Sequence, residues 1–158
     1  MKGILLVALL SLFLVPSAHA WPGRVVAVAD GDTITVEPVQ GGKRVKVRLY
    51  GIDTPELKQP GGRFAKAFAQ KATLYQVVEI EEKDTDRYKR TVAIVHLRGT
   101  TLQDLLLRDG GAWVYTKYCK SVECSAWKEL EQEAMQAKRG LWYYDNPVPP
   151  WEWRKRER

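Results

Sequence analysis

The chain has 158 residues, with 25 lysines and arginines against 19 aspartates and glutamates, and a formal net charge of +6. That length gives one domain with a single core, and beyond the N-terminus no apolar run is long enough to span a bilayer, so a soluble domain is expected. The basic balance favours a polyanion, nucleic acid or an anionic membrane surface, as partner and by itself says no more.

In chain order the first element is a targeting one. Met1-Lys2 supply a positive end, residues 4–15 form an apolar stretch interrupted only by Ser11, and Pro16-Ser17 break it before the small-x-small group Ala18-His19-Ala20. These are the three regions of a secretory signal peptide, and the run falls short of the roughly twenty residues of a spanning helix. Residues 1–20 are therefore read as a removable signal, with Trp21 as the new N-terminus of a protein exported to the periplasm or the cell exterior. Removing them from 158 residues leaves 138, and takes only Lys2 from the basic count.

From Arg24 to Leu97 the pattern is strand. Residues 24–29 and 33–37 flank the acidic turn Asp30-Gly31-Asp32, and Gln40-Gly41-Gly42 reads as a hairpin turn. From Lys43 to Tyr50 the chain alternates, with Val45, Val47 and Leu49 on one face and Arg44, Lys46 and Arg48 on the other. That period of two predicts a half-buried strand. Residues 76–81 and 90–97 complete five short, β-branched candidates.

Three helices interleave with or follow the strands. Residues 62–74 place Phe64, Ala65, Phe68, Ala69 and Ala72 at helical spacing. Residues 101–108 begin at a Thr100 or Thr101 cap and stop at Gly110-Gly111. The last helix carries Trp127, Leu130, Ala134, Ala137 and Leu141 on one stripe and ends at Lys138-Arg139-Gly140. Five strands with three helices fit an α+β fold built on a five-stranded oligonucleotide-binding (OB) barrel, and other α+β arrangements share the pattern. The expected domain runs over residues 21–146, followed by a Pro/Trp/basic tail at 147–158.

Cys119 and Cys124 are the only cysteines. An exported chain meets an oxidising compartment, which favours a disulfide between them over free thiols. Two thiolates with no nearby histidine leave zinc short of ligands. Five residues apart on a helix their side chains diverge, so at least one lies in the loop before the last helix.

Three polar clusters carry the chemistry: Asp30-Gly31-Asp32-Thr33, the run from Arg48 through Ile52-Asp53-Thr54-Pro55-Glu56, and Asp86-Arg87-Tyr88-Lys89-Arg90. Each alone is bland. A Gly-flanked aspartate pair is usually a turn former, Arg48 reads as one more solvated charge beside Lys46, and a polar loop between strands is usually only a loop. In this order, and followed by Gly111-Ala112, Tyr118 and Gly140-Leu141-Trp142, the set resembles the staphylococcal nuclease (thermonuclease) family over roughly residues 24 to 146.

The resemblance implies the OB barrel with three helices and a Ca²⁺-dependent endonuclease hydrolysing phosphodiester bonds of DNA or RNA. It implies Asp32, Asp53 and the Thr54 carbonyl as metal ligands, with Asp30 tuning the site. Arg48 and Arg90 would grip the phosphoryl group through forked hydrogen bonds, and Glu56 would hold or deprotonate the attacking water. Arg87, Tyr88 and Tyr118 match substrate-binding positions, with Tyr115 as a third aromatic candidate. Stacking accepts every base, so little sequence specificity is expected, with single-stranded DNA or RNA as favoured substrate for a monomer needing no obligate protein partner. One departure stands out: Lys89 occupies a position where the family often has glycine, so a positive φ there would strain the turn that presents Arg90. The loop after Glu56 is also short, leaving Lys58 and Arg63 as its cations. The main alternative is a nucleic-acid-binding OB module that does not cut. A second is a surface protein whose basic tail, with Trp151 and Trp153, docks on anionic lipid, against the duller reading of a tail that packs on the barrel or frays.

Overall fold

The structure, a computed structural model, describes residues 20–157. The expected signal peptide at residues 1–20 lies, apart from Ala20, outside the described residues. Alternation becomes burial in β3 (Val45–Leu49), where Val47 and Leu49 are buried and Lys46 faces solvent. The strand starts later than the alternation does, because Gly41 and Gly42 both take positive φ and carry the hairpin loop to Arg44.

Five long strands form the sheet. β1 (Ala20–Val28) lies between β2 (Thr33–Pro38) and β5 (Val77–Thr85), both antiparallel to it. β2 pairs with β3, and β5 with β6 (Thr91–Leu97). A parallel pairing of β3 with β6, Arg48 opposite Val92, closes the ring. The result is the expected five-stranded OB-type barrel. Bulges in β1 between Val25 and Ala27, and in β5 between Glu82 and Asp84, supply local bends of the kind a closed sheet needs. Val25, Ile34, Val36, Val47, Ile80 and Val95 fill the interior, each fully shielded from solvent.

Three two-residue strands pin loops to this frame: β4 (Ile52–Asp53), β7 (Thr100–Thr101) and β8 (Trp113–Val114). α1 (Gly62–Thr73) buries Ala65 and Ala69, whereas Phe64, expected on the same stripe, is 44% exposed and rests on Phe68. α2 (Leu102–Arg108) starts at Thr101, whose side chain accepts from the Asp104 N–H while the Asp104 carboxylate accepts from the Thr101 N–H. This reciprocal cap settles which threonine begins the helix. α3 (Glu123–Gln136) is shorter at its C-terminal end than the apolar stripe predicts. Lys138 and Gly140 both turn to positive φ, so Leu141 reaches the core from a separate 3-10 turn and Ala137 is exposed.

A fourth helix, α4 (Pro150–Arg156), lies in the tail, where no helix was expected. Cys119 and Cys124 are bonded, the former in the loop and the latter in the first turn of α3, with Cα atoms 5.7 Å apart. Among the described residues no helix is long and apolar enough to cross a membrane.

Candidate active site

The site is assembled where β2 and β3 run side by side, with Thr33 opposite Arg48. Gly31 lets the turn between β1 and β2 lie flat: a Cβ there would come within 2.7 Å of the Thr54 hydroxyl and 2.8 Å of Ala65 Cβ. The next residue, Asp32, thereby meets the loop after β4. Its Oδ2 accepts from the Thr54 N–H at 2.8 Å and the Thr54 hydroxyl at 2.9 Å, and its Oδ1 accepts from the Thr33 hydroxyl. Asp53 is placed by the β4–β8 pairing, opposite Trp113.

Arg48 knits these carboxylates together. Its Nη1 donates to the Leu49 and Ile52 carbonyls, and its Nη2 lies 2.8 Å from Asp53 Oδ1 and 3.2 Å from Asp32 Oδ2. The guanidinium is 15% exposed, against 7% and 1% for the two carboxylates. Far from being a solvated charge beside Lys46, Arg48 is the counter-ion of a buried acidic pair.

Glu56 sits at the rim, its backbone N–H donating to the Gln59 side chain. The buried Gln59 amide also donates at 2.5 Å to the Val148 carbonyl, tying the Glu56 loop to the tail. The tail then turns into α4 at Pro149-Pro150 and delivers Arg154 onto the acidic residues. Arg154 Nη2 lies 2.6 Å from Asp53 Oδ2, and Nη1 2.8 Å from Glu56 Oε1. Arg154 was missed in the sequence. Pro150 at the first helical position was a usable signal, as was the three-residue spacing of Trp151 and Arg154, which puts both on one helix face.

Burial, and then the crowding of like charges, shows in the titration of two of the acids. Asp30 is pushed up to about 6 by burial and by the neighbouring Asp32 charge. Asp53 is raised by burial and by Asp32, while the hydrogen bond from Arg154 and the Arg48 and Arg154 charges pull it back. Arg154 is held further above its ordinary range: burial opposes its charge, but Asp53 and Glu56 outweigh it.

Arg90 comes to the same end of the barrel because β6, which follows it, pairs with β3. Its Nη1 reaches the Thr33 hydroxyl at 3.4 Å, and that hydroxyl bonds Asp32. Lys89 does take a positive φ, +61°. The turn holds because Asp86 accepts from the Tyr88 and Arg90 N–H groups and from Arg90 Nε at 2.7 Å. Arg90 is thus oriented by Asp86 despite the strained lysine. Tyr88 is 65% exposed, with Arg87 and Arg90 guanidiniums 4.8 and 5.6 Å from its ring centre. Tyr118, also exposed, packs edge-on to Tyr115, and Tyr115 stacks on Trp151 of α4 at 4.8 Å with the rings 12° from parallel. The two tyrosine groups are built on different loops, and Tyr118 connects to the acidic residues through α4. Lys58 and Arg63 are exposed.

Among the described residues no three His, Cys, Asp or Glu side chains gather into a metal-binding group. The donors expected for Ca²⁺ are only two carboxylates and a carbonyl. Asp32 and Asp53 nevertheless converge on one Arg48 nitrogen and are nearly fully buried. Hard oxygens of this kind, completed by water, suit Ca²⁺, so the donor chemistry fits.

The family model described as Staphylococcal nuclease homologue matches residues 46–144, which include Arg48, Asp53, Glu56 and Arg90. The chain belongs to the staphylococcal nuclease family. With that membership goes its class as an enzyme, a nuclease, which is a hydrolase. Relatives that resemble it include an uncharacterized endonuclease of Escherichia coli O157:H7, 38% identical over 146 residues covering 87% of this chain and 92% of that one. A micrococcal nuclease of Shigella flexneri is 34% identical over 157 residues, 92% of this chain and 88% of its own. An uncharacterized endonuclease of Haemophilus influenzae is 34% identical over 160 residues, 99% of this chain and 88% of its own. The matched span of the nuclease domain stops short of α4.

Proposed function

We propose that this nuclease is an exported, Ca²⁺-assisted endonuclease that hydrolyses phosphodiester bonds of DNA or RNA with little sequence specificity, acting as a monomer in the periplasm or outside the cell. The observation that carries the reading is the convergence of Asp32, Asp53, Arg48 and Glu56, with Arg90 one hydroxyl away, inside a protein of net charge +6. A module that only held nucleic acid would have no use for a buried acidic pair.

Asp32, Asp53 and the Thr54 carbonyl would hold the cation, which offsets phosphate charge and lowers its repulsion toward an incoming nucleophile. The chain's own groups do the rest. Arg48 and Arg90 flank the phosphate, where guanidinium donors meet the negative charge that gathers on the phosphoryl oxygens. Glu56 orients the attacking water and accepts its proton as the oxygen bonds to phosphorus. The leaving oxygen departs with the electron pair of the broken P–O bond and is protonated from solvent. Tyr88 and Tyr118 offer flat faces to bases, and Arg87 a charge to the adjoining backbone.

Digestion of single-stranded DNA with Ca²⁺, with EGTA, and by Glu56→Ala tests this. Cutting that needs Ca²⁺ and drops by at least about a hundredfold in the variant is expected. Tight binding without cutting under any divalent cation would overturn the mechanism and leave a nucleic-acid-binding OB module.

A further inference from the structure

The tail places two groups where a nuclease of this design needs its ligands. Arg154 takes Asp53 Oδ2 at 2.6 Å and Glu56 Oε1 at 2.8 Å, while Arg48 takes Asp53 Oδ1 and Asp32 Oδ2. Asp32 Oδ2 also accepts two bonds from Thr54. Both Asp53 oxygens are therefore engaged by guanidinium donors, and Asp32 Oδ2 and Glu56 Oε1 are engaged as well. Three residues earlier on the same helix face, the Trp151 indole lies flat on Tyr115 as a stacked base would.

We propose that α4 is an autoinhibitory strap: Arg154 occupies Asp53, needed by the divalent cation, and Glu56, needed by the attacking water, Trp151 occupies an aromatic face open to a base, and ligands displace the helix. The inference rests on the metal-assisted reading above. A guanidinium and a divalent cation bound to one Asp53 oxygen would repel at close range in a poorly screened pocket. A helix of seven residues is not stable alone, and α4 is held by its contacts with the barrel: the Arg154 pairs, the Trp151 stack, the buried Pro150, the half-buried Trp153 and the Gln59–Val148 bond leading into it. Arg154, Lys155 and Arg156 in its last turn give the released tail a charge suited to a nucleic-acid backbone.

Coupling is reciprocal: if docking of Arg154 weakens Ca²⁺ binding, Ca²⁺ must weaken docking of α4 by the same factor. Calorimetric titration of the purified protein with Ca²⁺ alone, beside Arg154→Gln, reads the first half. The variant is expected to bind about tenfold more tightly, within the usual range for such couplings. Limited trypsin digestion of the wild-type chain reads the second half and needs no variant: cleavage after Arg154, Lys155 and Arg156 is expected to accelerate at saturating Ca²⁺. Equal or weaker Ca²⁺ binding by Arg154→Gln, or a tail equally protected with and without Ca²⁺, overturns the strap and leaves the metal reading intact. No Ca²⁺ binding by either protein overturns both.

Discussion

The role proposed for Arg48 and Arg90 is the same, but their surroundings differ, and that difference separates their mutants. Arg48 is 15% exposed and neutralises two carboxylates more buried than itself. Arg48→Ala should lower the rate by about 10²–10³ and also cost about 3–5 kcal/mol of stability, because it strands buried charges. Arg90→Ala should show a similar loss of rate with a much smaller loss of stability, since Arg90 pairs only with the partly exposed Asp86. Paired urea melts and single-stranded DNA digestion check this, and equal stability losses would refute it. At Lys89 the backbone carries the cost of a left-handed L-residue, about 1–2 kcal/mol, part of which glycine would return. Lys89→Gly should therefore raise stability by up to about 1 kcal/mol. The sequence posed this question by its departure from the family pattern. It could not answer it, because a backbone angle depends on what anchors the turn, and here the anchor is Asp86.

The same loop gives the element scale its acid sensitivity. Burial pushes the Asp86 carboxyl up, but the Arg90 N–H and guanidinium and the Tyr88 N–H outweigh it and hold it below its ordinary value of 3.8. A carboxyl depressed on folding stabilises the native state above the unfolded value and loses that contribution as pH falls through the lower folded one. Thermal midpoints of the wild type and Asp86→Asn, compared from pH 6 downward, should differ most above pH 3.8 and converge below it. A gap that widened on acidification would count against this anchor. The bridge between Cys119 and Cys124 is the other local device, spanning five positions. Replacing both with serine should cost about 2 kcal/mol by loop-closure entropy while leaving nuclease activity in place, because neither sulfur touches the acidic site. The strands were legible because one face of each is buried, which forces a period of two. The end of α3 was not: Leu141 continues the apolar stripe in sequence, yet Lys138 and Gly140 turn the chain first.

At the scale of the whole molecule, barrel closure is what makes a site of scattered residues. The β3–β6 pairing puts Arg48 and Arg90 at one end of the barrel, and the β4–β8 pairing sets Asp53 against the Asp32 turn. Burial periodicity and the order of short polar motifs are local properties of a chain, so the barrel, its first three helices, the family and the paired cysteines were readable in it, and Asp32, Arg48, Asp53, Glu56 and Arg90 stood out as candidates. The fold alone makes Arg48 a buried counter-ion, sets Asp86 to orient Arg90 across a strained lysine, and returns Arg154 about a hundred residues later to Asp53 and Glu56. Those are pairings between charges distant in sequence. Their partners are chosen by where the fold excludes water, since a buried carboxylate must find a cation, and nothing local in a tail of tryptophans and arginines says which carboxylate it will reach.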